Sequence, residues 1–216
     1  VDRCSTQYPY IEIDASGYRY NQNTKAKFLQ KPGMMSLPEI APKGDITLLG
    51  KYLNISKETL SLAYGWLFCT LAGVKPFPIL VLQGEQGTGK STLSRLLRLL
   101  IDPSSAPLRS PPSKSEDLVI SAINSYLVNL DNLSGLKAEN ADFLCRLSTG
   151  GAFNTRRLYS EADEVLINIQ RPVIVNGISD IAMRSDLAER SIIIELPVIA
   201  PSERKSEKGF WAAFEQ

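Results

Sequence analysis

Histidine is absent from the 216 residues of this chain. That removes imidazole general bases, Ser-His-Asp triads and His-containing zinc sites from consideration. Cysteine is scarce. Cys4, Cys69 and Cys145 are odd in number and far apart, and no C-x-x-C pair occurs, which argues against a disulfide framework or a zinc site. Cys69 and Cys145 fall in apolar helical surroundings and read as reduced core residues of a cytoplasmic protein. Long hydrophobic runs are missing too. The longest, residues 60–74, stops at Lys75, Pro76 and Pro78 and falls short of the ~20 residues a membrane span needs. There is no secretory signal. Charge of one sign is also lacking, since 24 Lys and Arg face 23 Asp and Glu for a formal net charge of +1. No global basic field draws the chain to nucleic acid. Any such binding has to come from local patches or from repetition around an oligomer.

What is present is an ordinary globular composition, 44% hydrophobic and 22% charged, long enough for one substantial core and a small appendage. Its most informative segment is Gly84-Glu85-Gln86-Gly87-Thr88-Gly89-Lys90-Ser91, followed by Thr92. The segment matches G-x-x-x-x-G-K-[ST], a phosphate-binding loop. Ile79 to Leu82 precede it as a buried-strand candidate. Leu93, Leu96, Leu97, Leu100 and Ile101 follow at the spacing of one helix face. Glycines let backbone N–H groups turn inward around phosphates. Lys90 is placed to reach the β and γ phosphates of ATP, and Ser91 to join a Mg²⁺ shell at a helix N-terminus. A chance glycine turn before a helix is the alternative, and the strand and helix on either side weigh against it.

The first 50 residues differ in character. Tyr8-Pro9-Tyr10-Ile11-Glu12-Ile13 and Tyr18-Arg19-Tyr20 flank Ala15-Ser16-Gly17 as a hairpin, and Pro32-Gly33, Pro38 and Pro42-Lys43-Gly44 make an extended connector. The hairpin is either the stub of a preceding domain or a strand pair packed on the core. Ser56 is a plausible N-cap for a helix carrying Leu60, Ala63, Tyr64, Leu67, Phe68 and Leu71 and ending near Gly73. Trp66 and Cys69 make that helix apolar nearly all round, so burial is expected. Beyond it strands and helices alternate. Strands are predicted at 79–82, 118–120, 126–130, 172–175 and 192–196, and helices at 90–101 and 138–148, with a Pro/Ser loop over 103–115. Most of the strands are continuous apolar runs, as in a parallel sheet covered on both faces. The predicted units are an N-terminal segment (1–50), an α/β core (51–200) and the start of a helix (201–216). Val1 and the closing Phe210-Trp211-Ala212-Ala213-Phe214 read as the ends of a piece of a longer protein.

Further residues complete the site. Tyr126-Leu127-Val128-Asn129-Leu130-Asp131 is an apolar strand ending in a carboxylate 41 positions after Lys90. It suits a Walker B strand lying beside the phosphate-loop strand, with Asp131 holding Mg²⁺ through water. An ordinary Asp at a strand end is the bland alternative. Asn132 stands next, where many ATPases place a Glu. An amide orients water but does not take its proton, so turnover is slow or the base lies elsewhere; Glu85 is the near candidate in sequence. Val173-Ile174-Val175-Asn176-Gly177 ends a further strand in an amide that either holds the attacking water or simply forms an Asn-Gly turn. Arg184 and Arg190 flank Asp186-Leu187. They read either as surface ion pairs with Asp186 or Glu189, or as an arginine finger supplied to a neighbouring subunit's γ-phosphate.

In this order the features resemble the superfamily 3 helicase branch of the AAA+ ATPases, and more narrowly the ATPase modules of phage and plasmid primase–helicases and their bacterial relatives. The resemblance covers roughly residues 45–200 and rests on Walker A (84–91), Walker B (127–132) and the sensor strand (173–176). It rests also on Thr149-Gly150-Gly151-Ala152-Phe153-Asn154-Thr155-Arg156-Arg157-Leu158-Tyr159. It implies an AAA+ core with a central, mainly parallel five-stranded sheet between helices, an inserted β-hairpin and a short N-terminal β-rich segment. It further implies ATP and Mg²⁺, a ring of identical subunits (a hexamer), DNA as the partner at Arg156 and Arg157, finger arginines before the last core strand, primase or other domains in the full-length chain, and no membrane. The hairpin would span 153–159 and 164–169, with Phe153, Val165, Ile167 and Ile169 as its apolar positions. Two departures stand out. The hairpin tip, Ser160-Glu161-Ala162-Asp163-Glu164, is acidic, and Asn132 replaces the usual Glu. Both favour a second reading, a slow nucleotide-dependent switch without helicase activity. A small-molecule kinase is the third, with no acceptor-binding constellation to support it.

Overall fold

The computed structural model describes residues 1–7, 9–41, 43–113, 115–156, 164–178 and 184–215. The N-terminal hairpin forms as expected. Strands β1 (Tyr10–Asp14) and β2 (Gly17–Asn21) pair antiparallel, Ile11 opposite Tyr20. The connector ties this segment to the core, with Met35 N–H donating to Pro103 O (2.9 Å) and Ser105 N–H to Gly33 O (2.9 Å).

Helix α1 (Lys57–Ala72) begins at Ser56, whose side chain accepts from Thr59 N, and ends at Gly73 in the left-handed conformation (φ 70°). Then come β3 (Ile79–Gln83), α2 (Lys90–Ile101), α3 (Ser115–Asn124), β4 (Val128–Leu133) and α4 (Ala138–Thr149). They are followed by the antiparallel pair β5 (Gly151–Arg156) and β6 (Glu164–Ile169), then β7 (Val173–Gly177), the short α5 (Ser185–Ala188), β8 (Ser191–Glu195) and α6 (Glu207–Phe214).

Among the described residues the central sheet has four strands in the order β4-β7-β3-β8, all parallel. Alternate residues of each strand face opposite layers. Ile79, Val81, Val128, Leu130, Val173 and Val175 enter one core with α3, α4 and Phe153. Leu80, Leu82, Ile174 and Ile194 enter the other with α1 and α2. Covering on both faces is why these strands read as unbroken apolar runs.

Three expectations are corrected. Residues 118–120 are helical, and the sheet has four strands rather than five. Leu118, Val119 and Ala122 are buried at helical spacing on α3, a pattern that a three-residue apolar run conceals. Along the outer edge of β4 there is a single bridge, Arg109 to Leu130. Second, the Asp131 strand does not lie beside the phosphate-loop strand, because β7 sits between them. Third, α1 is not buried all round. Ala63, Trp66, Leu67 and Thr70 face the sheet, while Leu62, Phe68 and Leu71 are about half exposed.

The C-terminal helix is seated on the core. Tyr52 donates its hydroxyl to Ala213 O (2.6 Å) and meets the rings of Phe210 and Phe214 edge-on. Arg95 of α2 stacks over Trp211 and pairs with Glu207 (2.9 Å). Among the described residues no helix is long and apolar enough to cross a membrane.

Candidate nucleotide-binding site

The loop between β3 and α2 is built on glycines that no other residue replaces without strain. Gly84, Gly87 and Gly89 have φ of 150°, 82° and 83°. A Cβ on Gly84 would stand 2.7 Å from Leu196 O. Thr88 is fully buried and donates its hydroxyl to Glu85 O (3.0 Å), while Glu85 and Gln86 are exposed. Lys90 folds back into the loop, its Nζ donating to Gly84 O (2.7 Å) and Glu85 O (2.6 Å). Burial pulls its ammonium below the ordinary lysine pKa, and the nearby Asp131 carboxylate opposes that shift.

Ser91, at the first turn of α2, donates its hydroxyl to Asp131 Oδ1 (2.7 Å). Residues 40 positions apart in sequence thus meet although their strands are not neighbours. Among the described residues no group of three or more His, Cys, Asp or Glu could hold a metal ion. One hydroxyl and one carboxylate is the sparse oxygen set that suits Mg²⁺, which keeps several waters and takes the rest of its shell from substrate phosphates. The donor set therefore fits the ion.

Asn176 ends β7 at the centre of the sheet, 1% exposed. Its Nδ2 donates to Ser94 Oγ on α2 (2.8 Å), and its Oδ1 accepts from Asn132 N–H (3.0 Å). Asn132 is in the left-handed region (φ 58°), where the register between β4 and β7 shifts. The Asn176 amide thus clips α2 to the bulge of β4 beside Asp131. The neighbouring Asn129 is also buried and donates to Ser94 O and Pro107 O (both 3.1 Å).

The finger candidates stand apart from this cluster. Arg184 pairs with Asp142 (2.8 Å) and Asp186 (3.1 Å), the ion-pair arrangement that was one of its two sequence readings. Arg190 donates to Asp186 O (2.7 Å). Because Ile79 is in register with Ser191, Arg190 sits at the start of the sheet and the phosphate loop at its end. Four residue steps at about 3.3 Å put ~13 Å of strand between them. Arg156 ends β5 opposite Glu164. Arg157 and the acidic tip through Asp163 lie outside the described residues. The base of the hairpin is anchored by Phe153, which packs on Phe143 (4.6 Å between ring centres) and lies under Arg146.

Sequence reasoning missed one whole wall. A cavity of about 490 Å³ opens beside the loop, lined by Tyr52 and Asn54 before α1, by Gly87 and Thr92, and by Arg204 and Phe210 near the C-terminus. Asn54 joins the two sides, its Nδ2 donating to Thr88 O (2.9 Å) and Pro197 O (2.7 Å). Nothing in the local pattern around Asn54 signals this. The Arg204-Lys205 pair just after the last core strand was visible as a basic doublet.

Strand, glycine loop and helix, with the amide-bearing β7 next to them and the carboxylate strand β4 beyond it, define an α/β protein with a parallel central sheet between helical layers. The chain belongs to the actinomycete integrative conjugative element replication protein family, which matches residues 46–216. Among solved structures it is similar to the A form of the apo NrS-1 C-terminal region (305–718), with TM-score 0.54 and 16% identity over 98% of this chain and 50% of that one. A second apo structure of that region gives 0.54 and 14%, over 98% and 51%. JCV helicase with a bound thiazolopyridinyl-phenoxyphenyl acetamide gives 0.49 and 15%, over 75% and 47%. The chain spans about half the length of these structures, and at such identities the likeness is one of fold. No curated protein matches it. The family match bears out the resemblance to a module of a mobile-element replication protein, and the fold is that of the NrS-1 C-terminal region.

Proposed function

We propose that this chain is the ATP-binding and ATP-hydrolysing AAA+ module of a replication helicase, coupling hydrolysis to movement of DNA through a ring of identical subunits, a hexamer, in the cytoplasm. The observation that carries the reading is the meeting of Ser91 with Asp131 beside a Lys90 folded into a glycine loop. In the proposed reaction a water oxygen bonds to the γ-phosphorus as the bond to the β–γ bridging oxygen breaks, releasing ADP and phosphate. Backbone N–H groups of residues 84–92 cradle the phosphates, and Lys90 leaves its loop carbonyls for the β and γ oxygens. Ser91 and Asp131 would hold Mg²⁺, which would supply neutralisation of charge on the phosphate oxygens. Asn176 keeps the β4 bulge beside Asp131 in register with α2.

Arg190 is too far along the sheet to serve its own subunit's phosphates, which supports its use, with Arg184, in a neighbour's site. Arg156, which ends β5 in a hairpin braced by Phe153, and Arg157, which follows it in sequence outside the described residues, are the candidate DNA contacts. The second reading, a slow nucleotide switch, is favoured by one observation. Asn132, the residue after the Asp131 carboxylate, is an exposed amide at the bulge of β4 and cannot accept a proton.

The test is steady-state ATP hydrolysis over a range of protein concentrations, with and without single-stranded DNA. Turnover per subunit that rises with both supports the ring motor. Tight ATP binding with turnover indifferent to DNA supports the switch. Mixing Arg190→Ala with Lys90→Ala subunits separates the finger from the ion-pair role, because independent behaviour of the two variants rejects a shared site.

A further inference from the structure

Arg204 occupies a position that an ion-pair reading does not explain. It follows β8 by nine residues in a segment that crosses back over the phosphate loop. Its guanidinium lies against Gly87, with Nη2, Cζ and Nη1 at 3.1, 3.4 and 3.7 Å from where a Gly87 Cβ would stand. Its Nε donates to Ile199 O (3.1 Å), which fixes the plane of the fork and leaves the Nη donors uncommitted among the described residues. No ion pair among the described residues takes it up. Two carboxylates line the same cavity, Glu203 and Glu207, and Glu207 is held by Arg95 (2.9 Å).

The place of Arg204 between two different walls defines what it would touch. On one side is the cavity walled by Tyr52 and Phe210, whose size and mixed aromatic lining suit a nucleoside. On the other is the loop whose backbone faces the phosphates. A cation at the junction meets the phosphates nearest the nucleoside, not the terminal one.

We infer that Arg204 is a phosphate ligand of the bound nucleotide in cis, acting on the α and β phosphates. The inference rests on the nucleotide-binding reading of the loop. It assigns Arg204 a task different from that of Lys90, whose reach is to the β and γ oxygens, and from Arg190, which stands at the far end of the sheet.

The test is an equilibrium titration of the wild-type chain, Arg204→Ala and Arg204→Lys with Mg·ATP and Mg·ADP, with adenosine as competitor and thermal melts to confirm folding. A charge-assisted contact to both nucleotides predicts ~10-fold weaker binding of ATP and ADP alike in Arg204→Ala. It also predicts partial recovery in Arg204→Lys, a shallower salt dependence, and unchanged competition by adenosine. Unaltered affinity for both nucleotides overturns the assignment, as does loss confined to ATP, which marks a γ-phosphate contact. Weakened adenosine competition overturns it too, because that marks collapse of the cavity wall. Failure of the wild-type chain to bind either nucleotide overturns the loop reading itself, and the inference with it.

Discussion

Asn176→Ala tests the central claim that one buried amide joins α2 to the β4 bulge beside Asp131. The substitution removes two hydrogen bonds, to Ser94 Oγ (2.8 Å) and from Asn132 N–H (3.0 Å). Each contributes about 1 kcal/mol, and a donor left unpaired in a partly buried site costs about 1–3 kcal/mol more. The expected loss is therefore roughly 3–5 kcal/mol. With a urea m-value of about 2 kcal/mol/M, the unfolding midpoint falls by about 1.5–2.5 M at constant m. A double-mutant cycle with Ser94→Ala isolates the link, because residues sharing a bond couple by about 0.5–3 kcal/mol. ATP turnover is expected to fall together with stability, since the β4 bulge beside Asp131 loses its anchor. A loss under about 0.5 kcal/mol, or additive effects in the cycle, refutes the clip.

Four further outcomes follow from the same geometry. Gly84→Ala is expected to abolish nucleotide binding and lower the melting temperature, because its φ of 150° and the 2.7 Å approach to Leu196 O leave no room for a methyl group; a nucleotide titration and a melt check both. Gly65→Ala lies mid-helix on the exposed face of α1 with nothing within 4 Å, and should stabilise the chain by about 0.5–1 kcal/mol in urea. Asp102 pairs with the buried Arg98 (3.0 Å) and accepts from Tyr126 N (2.9 Å) and Leu127 N (3.0 Å), so Asp102→Ala strands a cation and should cost about 3–5 kcal/mol; a urea melt showing under 1 kcal/mol contradicts this. Burial, with Asp186 adding to it, pushes the Cys145 thiol above its ordinary pKa. Its thiolate is therefore scarcer at pH 8 than that of a free cysteine, and iodoacetamide should modify Cys69 first and Cys145 only on unfolding, as peptide mass mapping would show.

Much of this architecture is legible because local and global preferences agree. The phosphate loop, its strand and its helix are written in eight contiguous residues and two apolar patterns, and α2 begins and ends where the leucine spacing sets it. Ser56 and Gly73 mark the limits of α1 through cap chemistry that acts within four residues. The segment 118–120 misled because a short apolar run looks alike in a strand and in one helix face. Only the burial of Ala122 one turn on separates the two. The expected all-round burial of α1 failed for a related reason. Composition counts apolar residues, whereas the sheet covers only the face carrying Trp66 and Leu67.

The sequence by itself determined the elements and the chemical groups available: a lysine and hydroxyl behind a glycine loop, a carboxylate and an amide at two strand ends, and no imidazole anywhere. Those are properties of residue type and spacing, and spacing acts over a few residues. Tertiary structure alone decided which groups meet. Strand order placed β7 between the two motif strands, so that Asn176 became a clip between Ser94 and Asn132. Chain return from β8 brought Arg204 onto Gly87, and Asn54 came to bond Thr88 O and, 143 positions away from it, Pro197 O. Parallel register set Arg190 at the opposite end of the sheet from the loop. Contacts of this kind depend on how crossovers order and align the strands, and that order follows from the packing of two helical layers on one sheet, which no local pattern encodes.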